Sequence, residues 1–195
     1  MSEKIGLVLE GGGMRGTFTA GVLDYFLDKN INFPYTIGVS AGACNGVSYA
    51  AKQRGRAKMC NIDLYDKYKY ISVKNLILKR NLIDYDLLFN DFPEKIIPLD
   101  YDAYFANPGR TIFVASNCET GEAEYLEEHS DKKRLNRIVM ASSSLPFVAK
   151  ITELDGKPML DGGICDAIPV RRAMSDGCDK LVVVLTRNYG YRKDN

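Results

Sequence analysis

Lys4-Ile5-Gly6-Leu7-Val8-Leu9 runs straight into Glu10-Gly11-Gly12-Gly13-Met14-Arg15-Gly16, and Tyr35-Thr36-Ile37 runs into Gly38-Val39-Ser40-Ala41-Gly42. Each is a short apolar run closed by glycines. They stand about 25 residues apart, the length of one strand–helix unit in an alternating α/β chain. The second is a G-x-S-x-G elbow, in which small residues on either side of Ser40 permit a sharp strand-to-helix turn that exposes its hydroxyl. The first supplies backbone whose N–H groups can approach a developing negative charge. One turn offers a nucleophile and the other an anion cradle.

Outward from these turns the alternation continues. Thr17–Asp28 places Ala20, Val22, Leu23, Phe26 and Leu27 at helical spacing, and Ala41–Arg54 reads as a helix of small residues able to pack closely under a sheet. Arg110–Ser116 is a third strand, and Glu119-Thr120-Gly121-Glu122 is a hairpin-like turn before an edge strand ending near Leu126. Asp131–Ser144 reads as helix, Pro158-Met159-Leu160 as a short strand closed by Asp161-Gly162-Gly163, Val170–Asp176 as helix and Lys180–Leu185 as the last strand. The pattern implies an α/β fold of three layers, a mainly parallel central sheet with helices on both faces. Ligands in such sheets sit beyond the carboxyl ends of the strands, where the glycine loop, Ser40 and Asp161 would converge. Residues 60–106 are less regular, with apolar pieces at Leu76-Ile77-Leu78 and Leu87-Leu88-Phe89. Amphipathic helices covering the sheet are the expectation there, with a cap over a lipid-sized pocket as the other reading.

The composition excludes several classes. The 195 residues suit one domain, 1–195, and 26 basic against 25 acidic residues leave a net charge of +1, so no long-range field argues for nucleic acid. The five cysteines have no C-x-x-C or zinc spacing and read as free thiols of a reducing compartment. Met-Ser-Glu-Lys leads directly into a strand and no apolar run approaches the roughly 20 residues that span a bilayer. The expected location is cytoplasmic, peripheral to a membrane at most. Arg187–Arg192 follows the last strand with no closing helix, so a longer parent polypeptide is expected.

Each motif has a plainer alternative. Ser40 alone reads as an ordinary N-cap. Gly11, Gly13 and Gly16 satisfy G-x-G-x-x-G, which makes a dinucleotide-binding domain the leading rival. That fold wants an acidic residue at the end of the second strand, where this chain has Gly38-Val39-Ser40 instead. Three successive glycines suit an oxyanion loop of the kind lipases carry. Arg15 either fixes that loop or forms a surface ion pair. A Ser-His-Asp triad needs a histidine, and the single one, His129, lies in the charged stretch Glu127-Glu128-His129-Ser130-Asp131-Lys132, where it should be solvated. Another group must then accept the serine proton. Asp161 is the natural candidate, provided that burial raises its basicity above that of an ordinary carboxylate. Its plainer reading is an Asp-Gly turn with a structural Asx hydrogen bond.

At these residues the chain resembles the patatin-like phospholipase family, most closely its bacterial soluble members. That family carries a G-G-G-x-R-G loop, a G-x-S-x-G elbow and a D-G-G or D-G-A turn, standing here in order as Gly11–Gly16, Gly38–Gly42 and Asp161–Gly163. Ala141-Ser142-Ser143-Ser144-Leu145-Pro146 is similar to the family's A-S-x-x-x-P segment. Asp161–Val170 is similar to its D-G-G-x-x-x-x-x-P-[VIL] stretch, with Asp166 where Asn is frequent. The resemblance implies an acyl hydrolase of lipid esters with Ser40 and Asp161 as a catalytic dyad, working without histidine, metal or cofactor. It implies an oxyanion hole from the backbone at Gly11, Gly12, Gly13 and Met14, supported by Arg15, Gly16, Gly38, Gly42, Gly162 and Gly163. The implied partners are a lipid ester substrate and a transient membrane surface, with no nucleic acid. A nucleotide-binding domain and a catalytically idle, lipid-binding relative remain the alternatives.

Overall fold

The computed structural model describes residues 3–72 and 82–192; the Leu76-Ile77-Leu78 run lies outside them. Four strands are parallel. β1 (Ile5–Leu9) lies between β2 (Tyr35–Val39) and β7 (Lys180–Val184), and β3 (Arg110–Asn117) flanks β2 on its other side. Every residue of β2, and all of β1 after Ile5, is buried, which is why both read as unbroken apolar runs rather than alternating ones.

Side chains alternate between two covered faces. Val8, Ile37, Val39, Ile112 and Val114 share one face with Ala173 of α7 (Val170–Ser175) and with Cys178. On the other face Leu7 and Leu9 meet Leu23 of α1 (Gly16–Asp28). Phe113 and Ala115 meet Ala43 and Val47 of α2 (Ala41–Ala50), and Leu135 and Ile138 of α6 (Lys132–Ser142). Leu9, Ile37 and Phe113 are all fully buried, worth about 1.5–3 kcal/mol each in transfer free energy. The Asp131 carboxylate caps α6, accepting the amides of Lys133 at 2.8 Å and Arg134 at 3.1 Å, and so fixes where that helix starts.

The rest of the sheet is antiparallel, and its register assembles the site. Val114 pairs with Val39 of β2 and with Tyr125 of β4 (Ala123–Leu126), so β2 and β4 occupy opposite edges of β3. Ala115 pairs with Glu124 of β4 and with Asp161 of β6 (Lys157–Asp161), so β6 shares the β2 edge. The two strands approach along that edge from opposite directions and their carboxyl ends meet. β5 (Thr152–Leu154), which no sequence pattern announced, pairs outside β6.

Between α2 and β3 the expectation of plain sheet-covering helices needs correcting. The described residues there form α3 (Arg56–Lys58), a π-helical turn at Met59–Asp63, α4 (Tyr65–Tyr68), a second π-helical stretch at Leu87–Ile96 and α5 (Tyr101–Phe105). Pro93 lies inside the second π stretch, and its missing N–H favours a widened ladder over a regular α-helix. Tyr70, Phe92 and Ile97 form a small separate core. Phe89, Tyr101 and Tyr104 pack with Phe113 and Ala115 of the sheet, and α3 and the two π stretches also wall a cavity.

Candidate active site

Ser40 is the residue between β2 and α2, with φ 53° and ψ −120°. A positive φ is costly for a side-chain-bearing residue, about 1–3 kcal/mol, and persists only where the surroundings over-determine it. Here they do. The Ser40 amide donates to Ser142 Oγ at 3.0 Å. A Cβ on Gly38 would lie 2.6 Å from the Gly42 carbonyl oxygen, and one on Gly42 would run into the Leu9 carbonyl. The elbow can close this tightly only because those two side chains are absent. Its hydroxyl therefore stands at the N-terminus of a ten-residue helix, where the dipole and free amides favour negative charge.

The glycine loop is pressed against it. A Cβ on Gly11 would come within 3.1 Å of the Ser40 Cβ, and Gly12 and Gly13 adopt φ of 152° and 56°. Among the described residues the amides of Gly11, Gly12 and Gly13 donate to no protein acceptor. The chain after β7 anchors the loop: the Thr186 hydroxyl lies 2.6 Å from the Gly11 carbonyl oxygen and 3.0 Å from Glu10 Oε2, while its amide donates to the same carboxylate at 2.5 Å. Gly16 packs under Ala41, and its carbonyl accepts from Asn45 Nδ2 at 2.8 Å. Met14 is exposed and lines the cavity. Arg15 is exposed and joins no ion pair among the described residues, with Nη2 close to where a Gly12 Cβ would stand.

Asp161 ends β6 at the point where β2 ends. It is 2 % exposed. Its Oδ1 accepts the Gly163 amide at 2.8 Å, and its carbonyl accepts from Ser116 Oγ at 2.8 Å. Gly162 lies flush on the Val114 carbonyl, leaving no space for a side chain. Oδ2 is buried with no hydrogen bond of ordinary geometry. Burial pushes the Asp161 pKa above the usual aspartate value, and interactions with the Ser40 hydroxyl and the Gly163 amide pull part of the way back.

From Ser40 a cavity of about 160 Å³ extends beneath the cap. Val47, Ile71, Ile83, Leu88, Phe89 and Phe92 make it mainly apolar, while Asn45, Ser48 and Arg56 put polar groups on its α2 side. Cys44 also lines it; burial pushes its thiol up to about 11, against a hydrogen bond with the Ser143 hydroxyl, so it stays protonated at neutral pH. His129 is elsewhere. Its side chain is 75 % exposed, with Nε2 3.7 Å from Glu127. Asp166 accepts the Tyr125 hydroxyl at 2.8 Å, which ties the Asp161–Val170 segment to β4. Ser142, Thr186 and Arg56 went unnoticed in the sequence. Only Ser142, inside the A-S-x-x-x-P segment, left a signal that could have found it.

A family model described as patatin-like phospholipase matches residues 7–174, taking in the glycine loop, the elbow and the Asp161 turn. The chain belongs to the patatin-like phospholipase family. Patatin-like proteins are lipid acyl hydrolases. The chain is 34 % identical over 188 residues to the uncharacterized protein YjjU of Escherichia coli, covering 94 % of this chain and 52 % of that one. It is 25 % identical over 196 residues to the lysophospholipase NTE1 of Candida glabrata, covering 93 % of this chain and 10 % of the other. The chain thus spans about half the length of the first relative and a tenth of the second. Among solved structures, VipD from Legionella pneumophila superposes with a TM-score of 0.53 at 17 % identity, over 93 % of this chain and 49 % of that one, a likeness of fold. Among the described residues no helix is long and apolar enough to cross a membrane.

Proposed function

We propose that this patatin-like chain is a serine acyl hydrolase that cleaves lipid esters, of phospholipase A, lysophospholipase or carboxylesterase type, through Ser40 and Asp161. The observation that carries the reading is a serine held at positive φ beside the cavity, together with a buried carboxylate whose Oδ2 has no hydrogen bond of ordinary geometry. Asp161 accepts the Ser40 proton as Oγ attacks the ester carbonyl. The tetrahedral oxyanion is held by backbone N–H groups of Gly11, Gly12, Gly13 and Met14, a type of donor that contributes about 3–4 kcal/mol. Collapse expels the alcohol or lysolipid, which leaves with the proton from Asp161, and the acyl group remains on Ser40. Water, deprotonated by Asp161, then attacks the acyl-serine, the fatty acid departs and Ser40 recovers its proton. Gly38 and Gly42 keep the elbow tight, Gly162 and Gly163 aim the carboxylate, and Arg15 and Gly16 support the loop. The apolar cavity suits an acyl chain. Exposed Met14, Leu145, Phe147 and Ile151 favour a transient contact with a membrane surface during substrate entry.

Intact-mass spectrometry after incubation with a fluorophosphonate tests the reading. One adduct is expected on the wild-type chain, none on Ser40→Ala, and a slowed reaction with Asp161→Asn. An adduct that persists on Ser40→Ala, or a folded wild-type chain that takes none, refutes it.

A further inference from the structure

Among the described residues Arg56 is the one buried arginine, whereas Arg137, which also donates to a backbone carbonyl, is exposed. Arg54, Arg110, Arg134 and Arg172 are intermediate or exposed, and each meets a carboxylate. Arg56 is 8 % exposed, lines the Ser40 cavity and meets no carboxylate among the described residues. Its Nε and Nη2 donate to the Ile97 carbonyl at 3.2 and 3.0 Å, and its Nη1 to Ser48 Oγ at 2.9 Å. A guanidinium carries five N–H groups, so these three bonds to neutral oxygens leave one N–H on each terminal nitrogen. Such a cation is costly to bury without an anion. Its field reaches the cavity walls: burial pushes the Cys60 thiol up, and Arg56 pulls it back.

Its position relative to Ser40 is set by α2. Ser40, Cys44 and Ser48 stand at i, i+4 and i+8, on one face of the helix, and all three line the cavity. Eight residues of rise put Ser48, and the guanidinium bonded to it, about 12 Å along the axis from Ser40. With bonds of about 1.5 Å in a staggered zigzag, that span takes on the order of ten chain atoms. We propose that the cavity takes an ester whose acyl chain ends in an anionic oxygen group, carboxylate or phosphate, bound by Arg56 at the end remote from the scissile carbonyl. The preference would be for an acyl chain charged at both ends over a plain fatty acyl chain of the same length. Two parallel N–H groups on a rigid fork suit either anion. The inference rests on Ser40 being the nucleophile.

The test compares kcat/KM for 4-nitrophenyl hydrogen decanedioate with that for its neutral methyl ester, and with a 4-nitrophenyl ester carrying a terminal phosphonate at similar length. The wild-type chain is expected to favour a charged ester by about tenfold or more. Which of carboxylate and phosphonate is preferred identifies the anion. The shorter butanedioate pair should show no such preference, because the charge cannot reach Arg56. In Arg56→Gln the ratio of charged to neutral should fall to near one, and Arg56→Lys, which keeps the charge but not the fork, should retain part of it. A wild-type ratio near one overturns the inference, as does a ratio unchanged in Arg56→Gln, the outcome if Arg56 merely pins the Ile97 loop. Should Arg56→Gln fail to fold, the wild-type and Arg56→Lys ratios decide. If no ester turns over and Ser40 takes no phosphonate, the reading of Ser40 falls separately. Calorimetric binding of monomethyl decanedioate by the same chain then tests the Arg56 site directly. Binding that Arg56→Lys weakens supports it, and absence of binding overturns it.

Discussion

Replacing Asp161 by Asn should make the chain more stable and less active at once. The substitution is nearly isosteric: the amide oxygen keeps the 2.8 Å bond from Gly163, while Nδ2 takes the place of the partnerless Oδ2 and can donate to the Ser40 hydroxyl. What disappears is a buried negative charge with one of its two oxygens unsatisfied. An unmet buried polar group costs about 1–3 kcal/mol, and more when charged. For a chain of this size about 1 kcal/mol moves the melting temperature by roughly 2–4 °C. A rise of several degrees at neutral pH is therefore expected. Turnover should fall by about 10²–10⁴-fold, the ordinary contribution of a general base. The pH dependence carries the sign. The Asp161 pKa is raised by burial, so ionisation is penalised in the folded chain at every pH above that raised value. On acidification the wild-type carboxyl protonates, the penalty vanishes below the ordinary value of 3.8, and the two melting temperatures should converge. The same raised pKa predicts an acid limb in kcat/KM that lies above 3.8, since only the ionised form accepts the serine proton. Differential scanning calorimetry between pH 3 and 8, alongside ester hydrolysis, tests both halves. A variant that is less stable at pH 7, by a margin that does not change with pH, would show that the carboxylate is satisfied in a way its geometry does not suggest.

Two further substitutions probe how the site is held. Gly42→Ala places a methyl group against the Leu9 carbonyl and 2.9 Å from the Glu10 oxygen, both rigid backbone atoms. It should cost about 3 kcal/mol or more and slow phosphonate labelling of Ser40, and wild-type values for both would mean that the elbow is looser than described. Glu128→Ala removes a carboxylate that accepts the amides of His129, Ser130 and Asp131 at 2.8, 2.8 and 2.9 Å and pairs with Arg134 at 2.7 Å. Although burial alone would raise its pKa, those amides and Arg134 hold it at about 2. The variant should lose about 2 kcal/mol in urea titrations at pH 7. Its deficit should shrink as pH falls from 4.5 toward about 2, and a constant deficit would count against the linkage.

The frame of the molecule was readable because its signals are local. β1 and β2 are buried on both faces, and Gly11, Gly12, Gly16 and Gly42 after them are each crowded by a contact within a few ångströms, while Gly13 is set by its positive φ. The meeting of Ser40 with Asp161 could be anticipated only from strand polarity, since the edge-sharing of β2 and β6 depends on β3 register, which no residue spacing reveals. β5 escaped because three residues, Thr152–Leu154, are too few for a period to emerge. A cap over a pocket is one of the two readings of residues 60–106, but its local form is not legible there. Its π-helical turns at Met59–Asp63 and Leu87–Ile96 widen the ladder locally, which an amphipathic pattern alone does not announce. Arg56 sits in Arg54-Gly55-Arg56-Ala57-Lys58, which reads as a solvated basic cluster, and only the fold turns one of those three charges inward.

The head-to-head arrival of β2 and β6 on one edge of β3 has a consequence for when the chain becomes reactive. Ser40 is made early and Asp161 late, 121 positions on by their numbering, and they are held in register by β3, which both strands must already have joined, and by Ser142 and Ser144, which bond their amides. Contacts of such long sequence separation form slowly and as a group. On the proposed reading of the site, a chain still emerging or half unfolded would hold Ser40 without Asp161 beside it. If Ser40 and Asp161 act as proposed, activity would thus arrive as a threshold, only in molecules whose sheet is complete.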